Sequence, residues 1–175
     1  MRDNRRTAFR LLLLLTLLWM GVIFWFSSRN SEDSGAFSLG LLRGILRRVV
    51  PHWMQRSAAE QQKIIDALHT LFRKCGHFSE FCVLGLLLKL TTRFSPELNR
   101  TRRQTHPAGT GFVLPALLAL LYACSDEFHQ RFVPGRSCEL RDVCIDTAGA
   151  CCGILFCMLM TGFFRRRKKV PPADS

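Results

Sequence analysis

Apolar residues in this chain come in long blocks rather than in the short alternations of a soluble core. The first block, LLLLLTLLWMGVIFWF from Leu11 to Phe26, has Thr16 as its only polar residue. Ala8 and Phe9 before it, with Ser27 and Ser28 after it, bring it to the roughly 20 residues, at about 1.5 Å each, that cross a bilayer. A cleaved signal peptide is the rival reading, because RDNRR makes a basic leader. The apolar run is longer than a usual leader core, however, and no A-x-A site follows it. A retained span at 8–28 is the expectation.

Three more blocks follow. CGHFSEFCVLGLLLKLTT (75–92) is shorter and carries three ionisable groups. GTGFVLPALLALLYACS (109–125) contains Pro115, which membrane helices tolerate. VCIDTAGACCGILFCMLMTGFF (143–164) ends at RRRKK, a strong stop signal. The pattern predicts an all-α, multi-pass membrane protein with four transmembrane helices, or three if the polar second block does not insert by itself.

The connections have patterns of their own. SSRNSEDSG (27–35) is polar and turn-prone and reads as a loop. In AFSLGLLRGILRRVV (36–50), Leu41, Leu42, Ile45, Leu46 and Val49 share one arc of a helical wheel, with Arg43 and Arg47 opposite. That is an amphipathic helix suited to the membrane interface, ended by Pro51. A second helix is predicted from Ser57 to about Arg73, in a pattern that a soluble bundle would also use. The expected order is a cytoplasmic N-terminus (1–10), an outer loop with amphipathic helices (29–73), a basic cytoplasmic loop (93–108), an outer loop motif (126–142) and a basic cytoplasmic tail (165–175).

Charge decides the orientation. The net charge is +12, from 25 Lys and Arg against 13 Asp and Glu, and the arginines cluster at block ends. That placement suits anionic lipid head groups rather than nucleic acid. Arg2, Arg5, Arg6 and Arg10, then Arg93, Arg100, Arg102 and Arg103, then Arg165 to Lys169 fall on one side if the spans number four. The positive-inside rule makes that side cytoplasmic, so both termini are expected inside a cell membrane. Of the eight cysteines, Cys144, Cys151, Cys152 and Cys157 lie in the last block as packing residues. Cys75, Cys124 and Cys138 fall near the outer boundary, where free thiols are favoured over a pair. Neither CxxC nor HExxH spacing occurs, so no cofactor and no metal is expected.

Candidate chemistry gathers at the block ends. Lys74, His77 and Glu80 recur every third residue, an arc of about 120° on a helix. A bland account makes them a snorkelling lysine and a His–Glu pair capping a helix, but an acid this deep in an apolar segment usually pairs or has a function. In SDEFHQRFVPGR, Asp126, His129 and Gln130 share a face below Tyr122, whereas Glu127 and Arg131 point elsewhere. VPG supplies a tight turn before Arg136. Asp142, Asp146, Gly149 and Gly153 form one stripe, whose GxxxG pair admits close helix packing. Topology puts all three groups at the same membrane face. They could form a closed structural network, or a site able to move protons or hold a polar head group.

RKCGHFSEFCVLGLL and SDEFHQRFVPGRSCELRDVCIDTAGACCG resemble the two signature blocks of the VanZ-like membrane proteins, over about residues 24–153. The family pattern falls on Lys74, His77, Glu80, Asp126, Glu127, His129, Gln130, Pro134, Arg136, Asp142 and Gly149. Asp146 stands where the family usually has Asn, and that added carboxylate needs a partner or a raised pKa. The resemblance implies a four-span envelope protein, with a link to teicoplanin-type glycopeptide resistance through the family's namesake.

Three functions fit. A non-enzymatic protein would bind a lipid-linked precursor head group or a lipoglycopeptide at the outer leaflet, Arg136 and Lys74 holding its anionic groups. A membrane-embedded enzyme would use Glu127 or Asp126 as base and His129 or His77 as acid/base, though no nucleophile stands out. A transporter would need more than four spans, or a homo-oligomer. The partners expected are membrane lipids, with no nucleic acid.

Overall fold

The computed structural model describes residues 2–29, 31–98, 110–134, 136 and 139–167, and among these every regular element is helical. Helix α1 runs Arg2–Ser27, α2 Ser31–Val49, α3 Ala58–Phe94, α4 Thr110–Gln130 and α5 Leu140–Arg167, with a short 3₁₀ turn at Trp53–Gln55. Most of the basic segment at 93–108, the end of the tail at 165–175, Gly135 of the VPG turn, and Cys138 lie outside the described residues.

Among the described residues, three helices are long and apolar enough to cross a membrane, at Asn4–Ser27, Gly111–Gln130 and Leu140–Phe164. The expected second span is not among them. It is the C-terminal half of α3, a 37-residue helix that takes in both the predicted amphipathic helix and the predicted span. Ser57 starts α3 with a capping box: its hydroxyl accepts from the Glu60 backbone N–H, and Glu60 returns a bond to the Ser57 N–H at 3.0 Å. The Ser57 hydroxyl, which donates to the Glu60 carboxylate at 2.9 Å, and after it the Ser57 N–H hold the Glu60 carboxyl below the usual range. No proline follows until Pro96, so nothing stops the helix near Lys74. The capping account of His77 and Glu80 therefore fails, because they sit inside a continuous helix.

The polar stretch 27–35 is likewise shorter as a loop than expected, since α2 already begins at Ser31. Leu42 and Leu46 of α2 pack with Trp53 and Ile65 in a small core of their own. His52 links the two helices with a left-handed backbone at φ 57°.

The main core lies around the second half of α3. Ile23, Phe81, Leu84, Leu88, Ala119, Ala123, Val143 and Ala150 form it, drawn from α1, α3, α4 and α5. The closest packing joins α3 to α5. A Cβ added at Gly149 would fall on the carbonyl of Phe78, one at Gly153 on that of Cys82, and one at Gly85 on that of Ala150. These glycines bring two backbones into direct contact, the arrangement that small-residue stripes permit in membrane helices. Apolar side chains of α1, such as Leu11, Leu14, Leu17 and Leu18, are left exposed on the outer surface.

Several polar groups within this apolar body are matched. Thr16 and Thr91 hydroxyls meet at 2.9 Å, and the Trp19 indole N–H donates to the Glu80 carbonyl at 2.9 Å. The Lys89 ammonium donates to the Gly111 carbonyl, and Tyr122 donates to the Met20 carbonyl at 2.6 Å. Such internal pairing is what a helix needs where water is absent.

Candidate functional site

Ser27 ends α1 and turns its hydroxyl to Asp126 Oδ2, at 2.8 Å. Gln130, one turn on from Asp126 along α4, donates its amide to the same oxygen at 2.9 Å. The Gln130 carbonyl in turn accepts from Arg136 Nη1 at 3.1 Å, while Arg136 Nη2 donates to the Phe26 carbonyl at 3.3 Å. One chain of bonds thus ties the end of α1, the end of α4 and the following loop. Asp126 is 2% exposed, and its second oxygen, Oδ1, meets no partner among the described residues.

Lys74 of α3 forms an ion pair with Asp142 at the start of α5. The side chains are 17% and 30% exposed, so each charge leans on the other. Lys74→Met and Asp142→Leu should each destabilise the bundle, and the double variant should lose less than the sum. Unfolding of the four proteins in detergent should give a coupling of about 1–3 kcal/mol. Additive losses would show that the pair is not coupled.

His77 and Glu80 lie three residues apart on α3, with Nδ1 and Oε2 separated by 3.8 Å. Both line a cavity of about 350 Å³ together with Phe26, Leu41, Phe72, Arg73, Gly76 and Arg136. Phe72, Gly76 and Glu80 are spaced by four, so a single face of α3 forms one wall. A Cβ at Gly76 would meet nothing within 4 Å, so the missing side chain leaves that wall open. Burial, and after it the like charge of Arg73, hold the Arg136 guanidinium below its ordinary range, while Asp126, Glu127 and Glu80 act the other way.

The residues picked out from the sequence divide accordingly. Lys74 with Asp142, and Asp126 with Gln130 and Arg136, are in direct contact, and His77 and Glu80 face the cavity with Arg136. His129 sits apart: its ring lies 4.4 Å from that of Phe24, and Nε2 is 3.1 Å from the Ser28 hydroxyl.

Glu127 lies off the Asp126 face of α4, yet it is covered. It is 2% exposed, and its Oε1 accepts the Glu139 backbone N–H at 2.7 Å. The helical wheel turned it from the Asp126 face, but α5 begins on that second side and covers it. Asp146 is also 2% exposed and forms no hydrogen bond with a described residue, so the partner its added carboxylate needs is not supplied. Gly149 and Gly153 pack against α3 as described. No group of three or more His, Cys, Asp or Glu among the described residues is placed to hold a metal ion.

Ser27, Arg73, Phe26 and Gly76 escaped sequence reasoning. Ser27 directly follows the first apolar block, so its place at the end of a span was a usable signal. Arg73 and Gly76 could have been found only by extending the Glu80 face backwards past the supposed helix start.

Among the described residues, an all-helical bundle with three helices long and apolar enough to span a bilayer has the architecture of a membrane protein, and it carries a cluster of polar side chains at one end. The chain belongs to the VanZ/LLP1 family, whose model matches residues 12–161. No curated protein and no solved structure matches it.

Proposed function

We propose that this chain is a four-span envelope protein that binds a polar or amphiphilic ligand at the outer face of the cell membrane. The observation that carries this is the cavity between α1, α2, α3 and the loop after α4. Arg73, His77, Glu80 and Arg136 offer it polar groups, and Phe26, Leu41 and Phe72 offer apolar ones. A site with both kinds of lining suits a head group joined to a chain.

The fourth span is the second half of α3. From Cys75 to Phe94 it is long enough, at about 1.5 Å per residue, to cross a hydrocarbon core of about 30 Å. Its lower hydropathy is tolerable because α1, α4 and α5 shield it, and its polar groups bond to them. Four spans place the basic segments 1–10, 93–108 and 165–175 together in the cytoplasm, leaving 29–73 and 126–142 outside. Family membership supports a link to glycopeptides of the teicoplanin type, with a lipid-linked envelope precursor or the lipoglycopeptide itself as ligand.

The test is teicoplanin susceptibility of cells expressing wild type, Gly76→Leu, Arg136→Ala or Glu127→Gln, at matched membrane levels. Gly76→Leu fills open space and replaces a mid-helix glycine, so the protein should accumulate at least as well as wild type. Protection by the wild type should be lost in Gly76→Leu and Arg136→Ala and kept in Glu127→Gln, whose amide carbonyl can still accept the Glu139 N–H. Full protection by Gly76→Leu would overturn the cavity as the binding site. An inactive wild type would remove the glycopeptide link.

A further inference from the structure

Two guanidinium groups line one small cavity, and only one is accounted for by the fold. Arg136 is held by Gln130 and by the Phe26 carbonyl. Arg73 lines the same space and makes no hydrogen bond or ion pair with any described residue, although it is only partly exposed. The like charges oppose each other, an effect that adds to burial in holding the Arg136 guanidinium below its ordinary range. Glu80, on the same wall, balances one of them. An excess positive charge therefore faces a space that Phe26, Leu41 and Phe72 also line.

We propose, building on the ligand-binding role above, that the cavity accepts a phosphate monoester head group bearing a single acyl or prenyl chain. The phosphate lies between Arg73 and Arg136, and the first part of the chain lies along Phe26, Leu41 and Phe72. Guanidinium groups present paired N–H donors that match phosphate oxygens, and an anion between two of them removes their mutual repulsion. At about 350 Å³ the space is near the small end of ligand pockets, about 300–1,000 Å³, which suits a head group and the start of one chain rather than a whole two-chain lipid. The Glu80 carboxyl and the His77 ring lie on the same wall, where they meet the hydroxyl or ester oxygens that link phosphate to chain.

The experiment is ligand-induced thermal stabilisation of the purified full chain in a neutral detergent. Four probes are compared: oleoyl lysophosphatidic acid, monooleoylglycerol with the same chain and no phosphate, inorganic phosphate, and glycerol 3-phosphate. The lysophosphatidic acid should bind at least tenfold more tightly than monooleoylglycerol, and the two chainless phosphates should act only at far higher concentration. Arg73→Gln should weaken the phospholipid at least tenfold and leave monooleoylglycerol unchanged. This variant is the cleaner one, since Arg136→Gln also cuts the bond to the Phe26 carbonyl and can fail to fold. Gly76→Leu should abolish all binding.

Other outcomes separate the two claims. Equal binding of monooleoylglycerol, still blocked by Gly76→Leu, would overturn the phosphate assignment and leave the amphiphile site standing. Inorganic phosphate binding as tightly as the lipid would overturn the chain. Undiminished lipid binding by Arg73→Gln would overturn the role of the two arginines. No stabilisation by any probe would sink the phosphate monoester and weigh against the cavity as a ligand site.

Discussion

Gly153→Val is expected to prevent the bundle from closing. A Cβ at this position falls on the Cys82 carbonyl, and the same holds for Gly149 on Phe78. The obstacle is backbone, so no rotamer change on α3 relieves it. Two whole helices would have to part along their longest contact, opening the core around Phe81, Leu84 and Ala150. Overpacking costs about 1–3 kcal/mol where side chains can move, and this case should lie at or above the upper end. Against a folded stability of about 5–15 kcal/mol, that loss should lower the melting temperature markedly or abolish accumulation. Gly76→Leu is the internal control, because it adds a larger side chain to α3 itself without a clash. A melting temperature unchanged by Gly153→Val would show that α3 and α5 do not pack this closely.

Asp126→Leu should be nearly as damaging, for a different reason. Asp126 Oδ2 accepts from both Ser27 and Gln130, and Gln130 in turn holds Arg136. Leucine removes the acceptor and strands two buried donors. Lost bonds of about 1 kcal/mol each, with stranding costs of about 1–3 kcal/mol, put the total near 3–5 kcal/mol. Asp126→Asn keeps an acceptor oxygen and should recover about half. Adding Ser27→Ala to Asp126→Leu should cost little more, since the hydroxyl has already lost its acceptor and keeps only a long bond from the Gln130 amide at 3.4 Å. Thermal unfolding of the three variants in detergent reads all of this, and an Asp126→Leu protein as stable as wild type would show that the network does not tie α1 to α4. The same variant bears on function. Without Asp126 the loop after α4 loses its anchor, so Arg136 should no longer be held at the cavity.

Much of the architecture was legible in the chain because lipid imposes a simple rule. A run such as Leu11 to Phe26 must be helical where no water can satisfy its backbone, and its length fixes its extent. The helical face of Asp126 and Gln130 was legible for a similar reason, since neighbours four apart on a helix must adjoin. The start of α3 was legible too: the helix predicted from Ser57 begins there, where S-x-x-E forms a capping box.

What the sequence could not show was which helix faces which. Composition marked Cys75 to Thr92 as the weakest span, because it carries His77, Glu80 and Lys89. The tertiary structure makes that segment part of the central helix, with its polar groups turned to neighbours rather than lipid. A helical wheel gives the direction of Glu127 but not what covers it, and α5 covers it. It gives the stripe of Gly149 and Gly153 but not the partner, which is the backbone of α3 at Phe78 and Cys82. The cavity depends most on assembly, since Phe26, Leu41, Arg73 and Arg136 come from separate segments that only packing joins. Sequence determined the helices and the inventory of charged groups, through the local cost of exposing a backbone or a charge to lipid. Which charges meet was decided by how closely the backbones of α3 and α5 approach and by where the ends of α1 and α4 then fall.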